Sequence, residues 1–148
     1  MSYDSVEAGL QGVITNVSGL STSNVTLGDY RALGHGHTRV AVLRPGPFDR
    51  RVTAAPRRMG TTWITIVDIF VPFDGELSTV ADDVRVYRQE IIDEVDKYPL
   101  LNGTSGVINA IVSGGGEPTL WQGENRRWWM QSLTVEIEER ATITIAEA

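Results

Sequence analysis

Cysteine is absent from this chain of 148 residues, and only two residues are histidines. The absence of cysteine excludes a disulfide framework, a thiolate zinc site and a cysteine nucleophile. No apolar run approaches the roughly 18–20 residues that a membrane-spanning helix needs. The N-terminal sequence MSYDSVEAGL carries an acid and has no apolar core, so it does not resemble a secretory signal. We therefore expect a protein made in the cytoplasm, without membrane contact, whose residues 1–148 form a single domain.

Sequence patterns for catalysis and cofactor binding are also missing. No serine lies in a nucleophile-elbow pattern, and the Gly114–Gly116 run lacks the Lys-Ser/Thr of a phosphate-binding loop. His35 and His37 could supply two imidazoles to a metal, but such a site needs further ligands, and the nearest carboxylate is Asp29. We expect a protein that is not an enzyme and binds neither cofactor nor metal. The role of the two histidines stays open.

The net charge of −6 is divided unevenly along the chain. Residues 1–60 contain seven arginines and four acids, a charge of +3, whereas residues 61–148 contain six basic residues and fifteen acids, a charge of −9. Such a chain could dock copies of itself through opposite charges, or the charges could simply be scattered over a solvated surface. The acidic total argues against wrapping nucleic acid, which needs a basic surface.

Two segments have the apolar spacing of three and four residues that is typical of an amphipathic helix. The first covers residues 4–20, with Gly19 as its stop. The second covers residues 76–98 and is closed by Pro99. Both would place one apolar stripe against a sheet.

Four segments are predicted as strands: Arg39–Leu43, Thr62–Pro72, residues 105–113 and Arg126–Glu139. In the last of them, the alternation places Trp129 inward and Trp128 outward. The order of helices and strands predicts an α+β fold, a mainly antiparallel four-stranded sheet with two helices packed on one face.

The remaining segments are predicted to connect or extend these elements. Residues 21–38 form a polar connection, and a Gly-rich loop leads from residue 114 to residue 125. The Arg44-Pro45-Gly46-Pro47 sequence predicts a turn, and residues 44–60 are interpreted as an exposed loop or hairpin arm. Residues 141–148 are a C-terminal extension that could add an edge strand or dock on a neighbour.

Arginine and tryptophan are concentrated in two regions that have the composition of an interface core. One region is the arm, and the other surrounds the start of the last strand. In the second region a tryptophan could instead lie flat on its own subunit under an arginine stem. The candidate inter-subunit or tube interface residues are Arg44, Arg50, Arg51, Arg57, Arg58, Trp121, Arg126, Arg127 and Trp128.

Several features of the second half follow one another in a familiar order. They are a strand that begins Thr62-Trp63 and ends Val71-Pro72, a Leu/Val/Tyr helix to Tyr98, the Pro99-Leu100-Leu101 exit, a short Val107–Val112 strand, Leu120-Trp121 and the closing Ser132–Glu138 strand. In this order the chain resembles the tail terminator (tail-completion) proteins of lambda-like long-tailed bacteriophages. The resemblance covers residues 4–139. The Arg44–Gly60 segment and the extension 141–148 are longer than the family pattern.

The resemblance implies a homohexameric ring that caps the tail tube, stops its polymerisation and joins it to head-completion or neck proteins. The protein would be made in the host cytoplasm and reside in the virion, at the tail or neck. Its partners would be further copies of itself, the tail-tube protein and a head-completion or neck protein. DNA would pass through the lumen without specific binding.

Ring geometry adds two hypotheses about charge. The Arg44–Arg58 arm would cross to an acidic patch of the adjacent subunit or tube ring, so that reversing the charges of Arg57 and Arg58 would weaken assembly. Acidic side chains would line the lumen and keep passing DNA from sticking. The alternatives are a head–tail connector, adaptor or other neck protein and, in a different class, a small ligand-binding domain or enzyme.

Overall fold

A computed structural model describes residues 3–34, 36–53, 58–123 and 126–142 of the chain. Within them, two α-helices, α1 and α2, span Tyr3–Ile14 and Leu77–Lys97. A mixed sheet has the strand order β1-β2-β3-β6-β4, with β5 paired to β6, and a short 3₁₀ helix spans Arg31–Gly34. The strands are β1 Val25–Leu27, β2 Val40–Thr53, β3 Arg58–Pro72, β4 Val107–Gly115, β5 Thr119–Gln122 and β6 Arg127–Thr142.

The expected α+β class with two helices is confirmed, but the sheet of the described residues has six strands instead of four, and one of its pairings is parallel. It gains β1, which pairs in parallel with Ala41–Leu43 of β2, and β5, which pairs antiparallel with β6. Both additions lie in segments predicted as a connection and a loop. They are three and four residues long, too short for an alternating pattern to stand out from a polar surrounding.

The first helix ends at Ile14, six residues earlier than its apolar spacing predicts. Val17 and Leu20 are nevertheless buried, because the chain continues in hydrogen-bonded turns that keep them against the core. The buried Asn24 side chain fixes these turns by donating to the carbonyls of Gly19 and Arg39, at 2.8 and 2.9 Å. Apolar spacing alone does not distinguish a helix from a series of turns with the same buried positions.

The turn predicted at Arg44–Pro47 is wrong, because β2 runs through this sequence as one strand to Thr53. The irregularity that the prolines signal is a β-bulge between Pro45 and Phe48. Gly46 sits so close to β3 that an added Cβ would lie 2.9 Å from the Ile64 carbonyl oxygen. Residues 44–53 and 58–60 are therefore the far ends of β2 and β3, and we call this part of the hairpin the arm.

Apolar side chains form one cluster on each face of the sheet. On the helix side, one cluster joins both helices to the strands, and its largest buried members include Leu10, Ile14, Leu43, Ile69, Tyr87, Ile91, Leu133 and Ile137. On the open side, Phe70 and Trp128 are buried beneath Ala32 and Leu33 of the 3₁₀ helix. We call residues 28–34 the strap. Among the described residues, no helix has the length and apolar character required to cross a bilayer.

The longest helix is tied to the sheet by one buried hydroxyl. Tyr87 is fully buried in α2, and its hydroxyl donates a 3.0 Å hydrogen bond to the Val40 carbonyl at the start of β2. Burial raises the pKa of Tyr87 well above its usual range, so the hydroxyl stays a donor. The guanidinium of Arg39 lies 4.8 Å from the centre of the same ring.

Tyr87→Phe should lower the free energy of unfolding by about 1–2 kcal/mol, because it removes this hydrogen bond and keeps the ring. Tyr98→Phe is the matched control, since the Tyr98 hydroxyl makes no hydrogen bond within the described residues. Guanidinium chloride unfolding, followed by circular dichroism, measures both. Equal effects of the two substitutions would contradict the anchoring role of Tyr87.

Candidate interaction surface

A buried carboxylate organises the open side of the sheet. Asp68, the only acidic residue of β3, has a side chain that is only 5 % exposed. It accepts hydrogen bonds from Arg44 Nε at 2.9 Å, from the Tyr30 hydroxyl at 3.1 Å and from Ser132 Oγ at 2.5 Å. These partners come from the base of the arm, from the strap and from β6. A single side chain thus fixes three elements to the centre of the sheet.

The pKa values of two of these partners follow from the same contacts. Burial raises the pKa of the Tyr30 hydroxyl, and the nearby Asp68 charge raises it further. The hydrogen bond to Asp68 raises the pKa of the Arg44 guanidinium. Arg44, predicted as an interface residue, therefore makes its ion pair within its own chain, although its side chain stays 46 % exposed.

The strap is held down by aromatic packing as well. Tyr30 stacks on Trp121 with ring centres 5.4 Å apart and an angle of 15° between the planes. Trp121 also meets the edge of Phe70 at 5.5 Å. The half-buried Trp121 thus packs against its own chain, which is the arrangement that the sequence left open as the alternative to an interface.

Trp128 lies on the outward face of β6, as the alternation predicts. It is not exposed, however, because the strap covers this face. Trp128 is 0 % exposed. The guanidinium of Arg126 lies 5.3 Å from its ring centre and forms a 2.5 Å ion pair with Asp74. Arg127 lies 5.5 Å over the ring of Phe73. The tryptophan is core, and the two arginines lie over aromatic rings of their own chain.

The arm carries the remaining candidate arginines. Arg50 and Arg51 are exposed on successive residues of β2 and therefore point to opposite faces. Arg51 forms an exposed 3.1 Å ion pair with Asp49, which adds little stability. Arg58 is exposed on β3, and Arg57 lies outside the described residues.

Charged groups also line a surface depression of about 370 Å³ between the start of β2 and the start of α2, where Arg39, Asp74, Asp83 and Arg126 meet. Arg126 is paired with Asp74 and Arg39 with Glu90, at 2.5 Å in both cases. Three of these four charged residues therefore have ion-pair partners, whereas Asp83 has none among the described residues.

The histidine pair is described only in part, since His35 lies outside the described residues. The carbonyl of His37 accepts a 3.3 Å hydrogen bond from Arg126. Where the chain is described, no group of three or more His, Cys, Asp or Glu side chains is arranged to hold a metal ion.

Sequence reasoning missed Asp68, Tyr30 and the exposed apolar residues of the arm. A signal for Asp68 was present, because a lone acid inside an apolar, β-branched strand must find partners when it is buried. Tyr30 carried no such signal, since it lies in a polar connection.

Comparison with known proteins does not assign a family. No protein-family model matches the chain, and no curated protein matches it.

Asp68→Ala should lower the free energy of unfolding by about 2–3 kcal/mol, because three donors lose their shared acceptor in a largely buried site. Asp49→Ala removes the exposed carboxylate of the arm and should stay close to the wild type. Urea unfolding of both variants gives the comparison. The network would lose its assigned role if Asp49→Ala were the more destabilised of the two.

Trp128→Ala should lower the free energy of unfolding by about 3–5 kcal/mol, because it leaves a large cavity under the strap. Thermal and denaturant unfolding of the variant measure this loss. A variant of near-normal stability that no longer self-associates would instead indicate that Trp128 contributes to an interface.

Proposed function

We propose that this chain is a structural subunit of a long-tailed bacteriophage that assembles into a homohexameric ring and ends the tail tube as a tail terminator. The ring would reside in the virion at the junction of tail and neck. It would be a non-enzymatic part, working through its surfaces rather than through a reaction.

The observation that carries the proposal is the composition of the arm. Phe48 and Val52 are 61 % and 56 % exposed, although both are large apolar residues. They flank Arg50 on the same face of β2. Large apolar side chains combined with arginine, at the exposed end of a sheet, are typical of a surface that a partner protein covers.

The order of elements supports the assignment to terminators. A strand that ends Val71-Pro72 is followed by the long helix α2, by the Pro99-Leu100-Leu101 exit and by the paired strands β4, β5 and β6. The resemblance to tail terminators rests on this order, and the observed elements occur in the same order.

A head-to-tail ring explains why such a subunit needs different surfaces. Each copy in a closed ring uses one patch to bind its neighbour and another to receive the neighbour on its other side. The two axial faces then differ. One would bind the last ring of tail-tube subunits, and the other would bind a head-completion or neck protein. The negative net charge would keep DNA moving through the lumen without binding it.

Native mass spectrometry of the purified chain should give six times the mass of a subunit of 16.2 kDa, and electron microscopy should show rings. Added to polymerising tail-tube subunits from the same genome, the rings should shorten the tubes in proportion to their concentration. A protein that stayed monomeric alone and beside tube subunits would contradict the proposal.

The same mixture separates a terminator from its nearest alternative. A head–tail connector, adaptor or other neck protein would form a ring but would bind portal rings and leave tube length unchanged. A small ligand-binding domain or enzyme would stay monomeric, and it would bind neither tube subunits nor portal rings.

A further inference from the structure

The helix-facing side of the arm is an apolar patch with one arginine at its centre, and we call it the arm patch. Because Phe48 pairs with Trp63 and Val52 with Met59 across the hairpin, these four side chains surround Arg50. The rings of Phe48 and Trp63 lie 5.3 Å apart. Within the described residues, Arg50 makes neither a hydrogen bond nor an ion pair, whereas Arg51 on the opposite side is paired with Asp49. Arginine and large aromatic side chains are enriched among the residues that dominate the binding energy at the centre of protein interfaces.

The arm is built to bind through side chains and not through its strand edge. β1 pairs with β2 only as far as Leu43, so the outer edge of β2 beyond it has no neighbouring strand in the described part of the chain. Pro45, Pro47 and the bulge interrupt the hydrogen-bonding groups of this edge, and Arg50 and Arg51 add charge. These are the features by which proteins prevent strand addition.

The arm cannot reach the outer face of α2 in its own chain. Tyr87 fixes the middle of α2 to Val40, at the start of β2. Val52 lies twelve residues further along the same strand, roughly 40 Å away at about 3.3 Å per residue. The tip of the arm and the surface of α2 beside Tyr87 can therefore meet only between two copies.

The outer face of α2 carries carboxylates, which the arm patch lacks. Val86, Gln89, Asp93 and Asp96 recur at helical spacing and are all exposed, Val86 by 52 %. Asp93 accepts a 2.9 Å hydrogen bond from Gln89. Within the described residues, neither Asp93 nor Asp96 is paired with a cation.

Other carboxylates of the same helix already have cationic partners. Asp82 is paired with Arg85, Glu90 with Arg39, and Glu94 with Lys97. The stripe of α2 from Val86 to Asp96 is therefore an acidic surface with an exposed apolar residue at one end. We call it the outer stripe. Its charge and its apolar residue complement the arm patch.

We infer that the arm patch of one copy docks on the outer stripe of α2 of the next copy, with Phe48 and Val52 against Val86 and Arg50 on Asp93. Segment 44–58 carries five arginines and one acid, and α2 carries six acids and three basic residues, so the wider charges of the two surfaces also attract. The two surfaces differ, and each copy has both, so the contact can repeat until a ring closes. The inference rests on the proposed ring and names its interface.

Charge exchange tests the contact. Arg50→Glu and Asp93→Arg should each raise the dissociation constant between subunits at least about tenfold, because each places like charges opposite one another. The double variant Arg50→Glu/Asp93→Arg should restore assembly, because the attraction returns with its sign reversed. Light scattering and native mass spectrometry over a concentration series give the measurement.

Matched controls carry the same charge changes at neighbouring positions. Arg51→Glu reverses the adjacent residue on the other side of the arm, and Asp83→Arg reverses an acid of α2 outside the outer stripe. Each should raise the dissociation constant far less than its counterpart in the contact, because neither position lies in the contact and only the wider attraction is weakened. Circular dichroism and thermal unfolding of each variant show whether it is folded, and recovery in the double variant excludes misfolding as the cause of dissociation.

The absence of cysteine allows a second, independent test. Val52→Cys/Val86→Cys should form a ladder of disulfide-linked oligomers under mild oxidation, because the two positions meet between copies. They are too far apart within one chain for a disulfide, whose Cα atoms must lie within about 7 Å. Each single variant should give at most dimers, and Val52→Cys/Ile111→Cys, with its second cysteine at another exposed position, should give no ladder.

The outcomes separate this inference from the proposed function. A wild type that forms rings, with Arg50→Glu equally assembled or no ladder from Val52→Cys/Val86→Cys, overturns the arm-to-α2 contact and leaves the ring. Dissociation by Arg50→Glu without recovery in the double variant also overturns it, and points to a tube subunit or another surface as the occupant of the arm. A wild type that never assembles contradicts both.

Discussion

The three long strands, β2, β3 and β6, are longer than the helices that cover them, and much of the architecture follows from that mismatch. β3 and β6, of fifteen and sixteen residues, extend roughly 50 Å at about 3.3 Å per residue. The helices α1 and α2, of twelve and twenty-one residues, extend only about 18 and 31 Å at 1.5 Å per residue. The sheet therefore continues beyond its helical layer. The uncovered end is the arm, where apolar residues have no cover within the described chain.

The open side of the sheet is finished differently, by a short segment fixed at one polar point. Tyr30, Ala32 and Leu33 close over Phe70 and Trp128, and the Tyr30 hydroxyl reaches Asp68. Because Arg44 bonds the same carboxylate, the base of the arm and the strap share one anchor. Loss of the Asp68 carboxylate would release the base of the arm and the strap together. The orientation of the arm therefore depends on a residue distant from its tip.

Periodicity predicted the elements whose one face is apolar and whose other face is polar. The second helix and the alternation of Leu133, Val135 and Ile137 were found in this way, since their burial follows directly from spacing. The parity of Trp128 was also right, but its exposure was not. Whether one face of a strand is exposed to solvent depends on which other segment packs over it. The strap has too little apolar periodicity to be predicted from the sequence.

The candidate site was predictable in composition and not in partners. The arginines of the arm were visible as a cluster, yet only the strand register separates Arg50 from Arg51 and gives them different surroundings. Arg126 and Arg127 were predicted as candidate interface residues, and both lie over aromatic rings of their own chain. Which partner an arginine contacts depends on its cross-strand neighbours, and these neighbours are residues far apart in sequence.

The bulge in β2 decides which way the arm presents its chemistry. Pro45 lies opposite Thr65 and Phe48 opposite Trp63, so β2 uses three residues where β3 uses two. In a strand without the bulge, strict alternation from Pro45 would turn Phe48, Arg50 and Val52 away from the helices, onto the face that Arg44 occupies. The extra residue therefore decides which side chains face the helices, and straightening β2 at this point would exchange the two sides of the arm without altering any side chain at its tip.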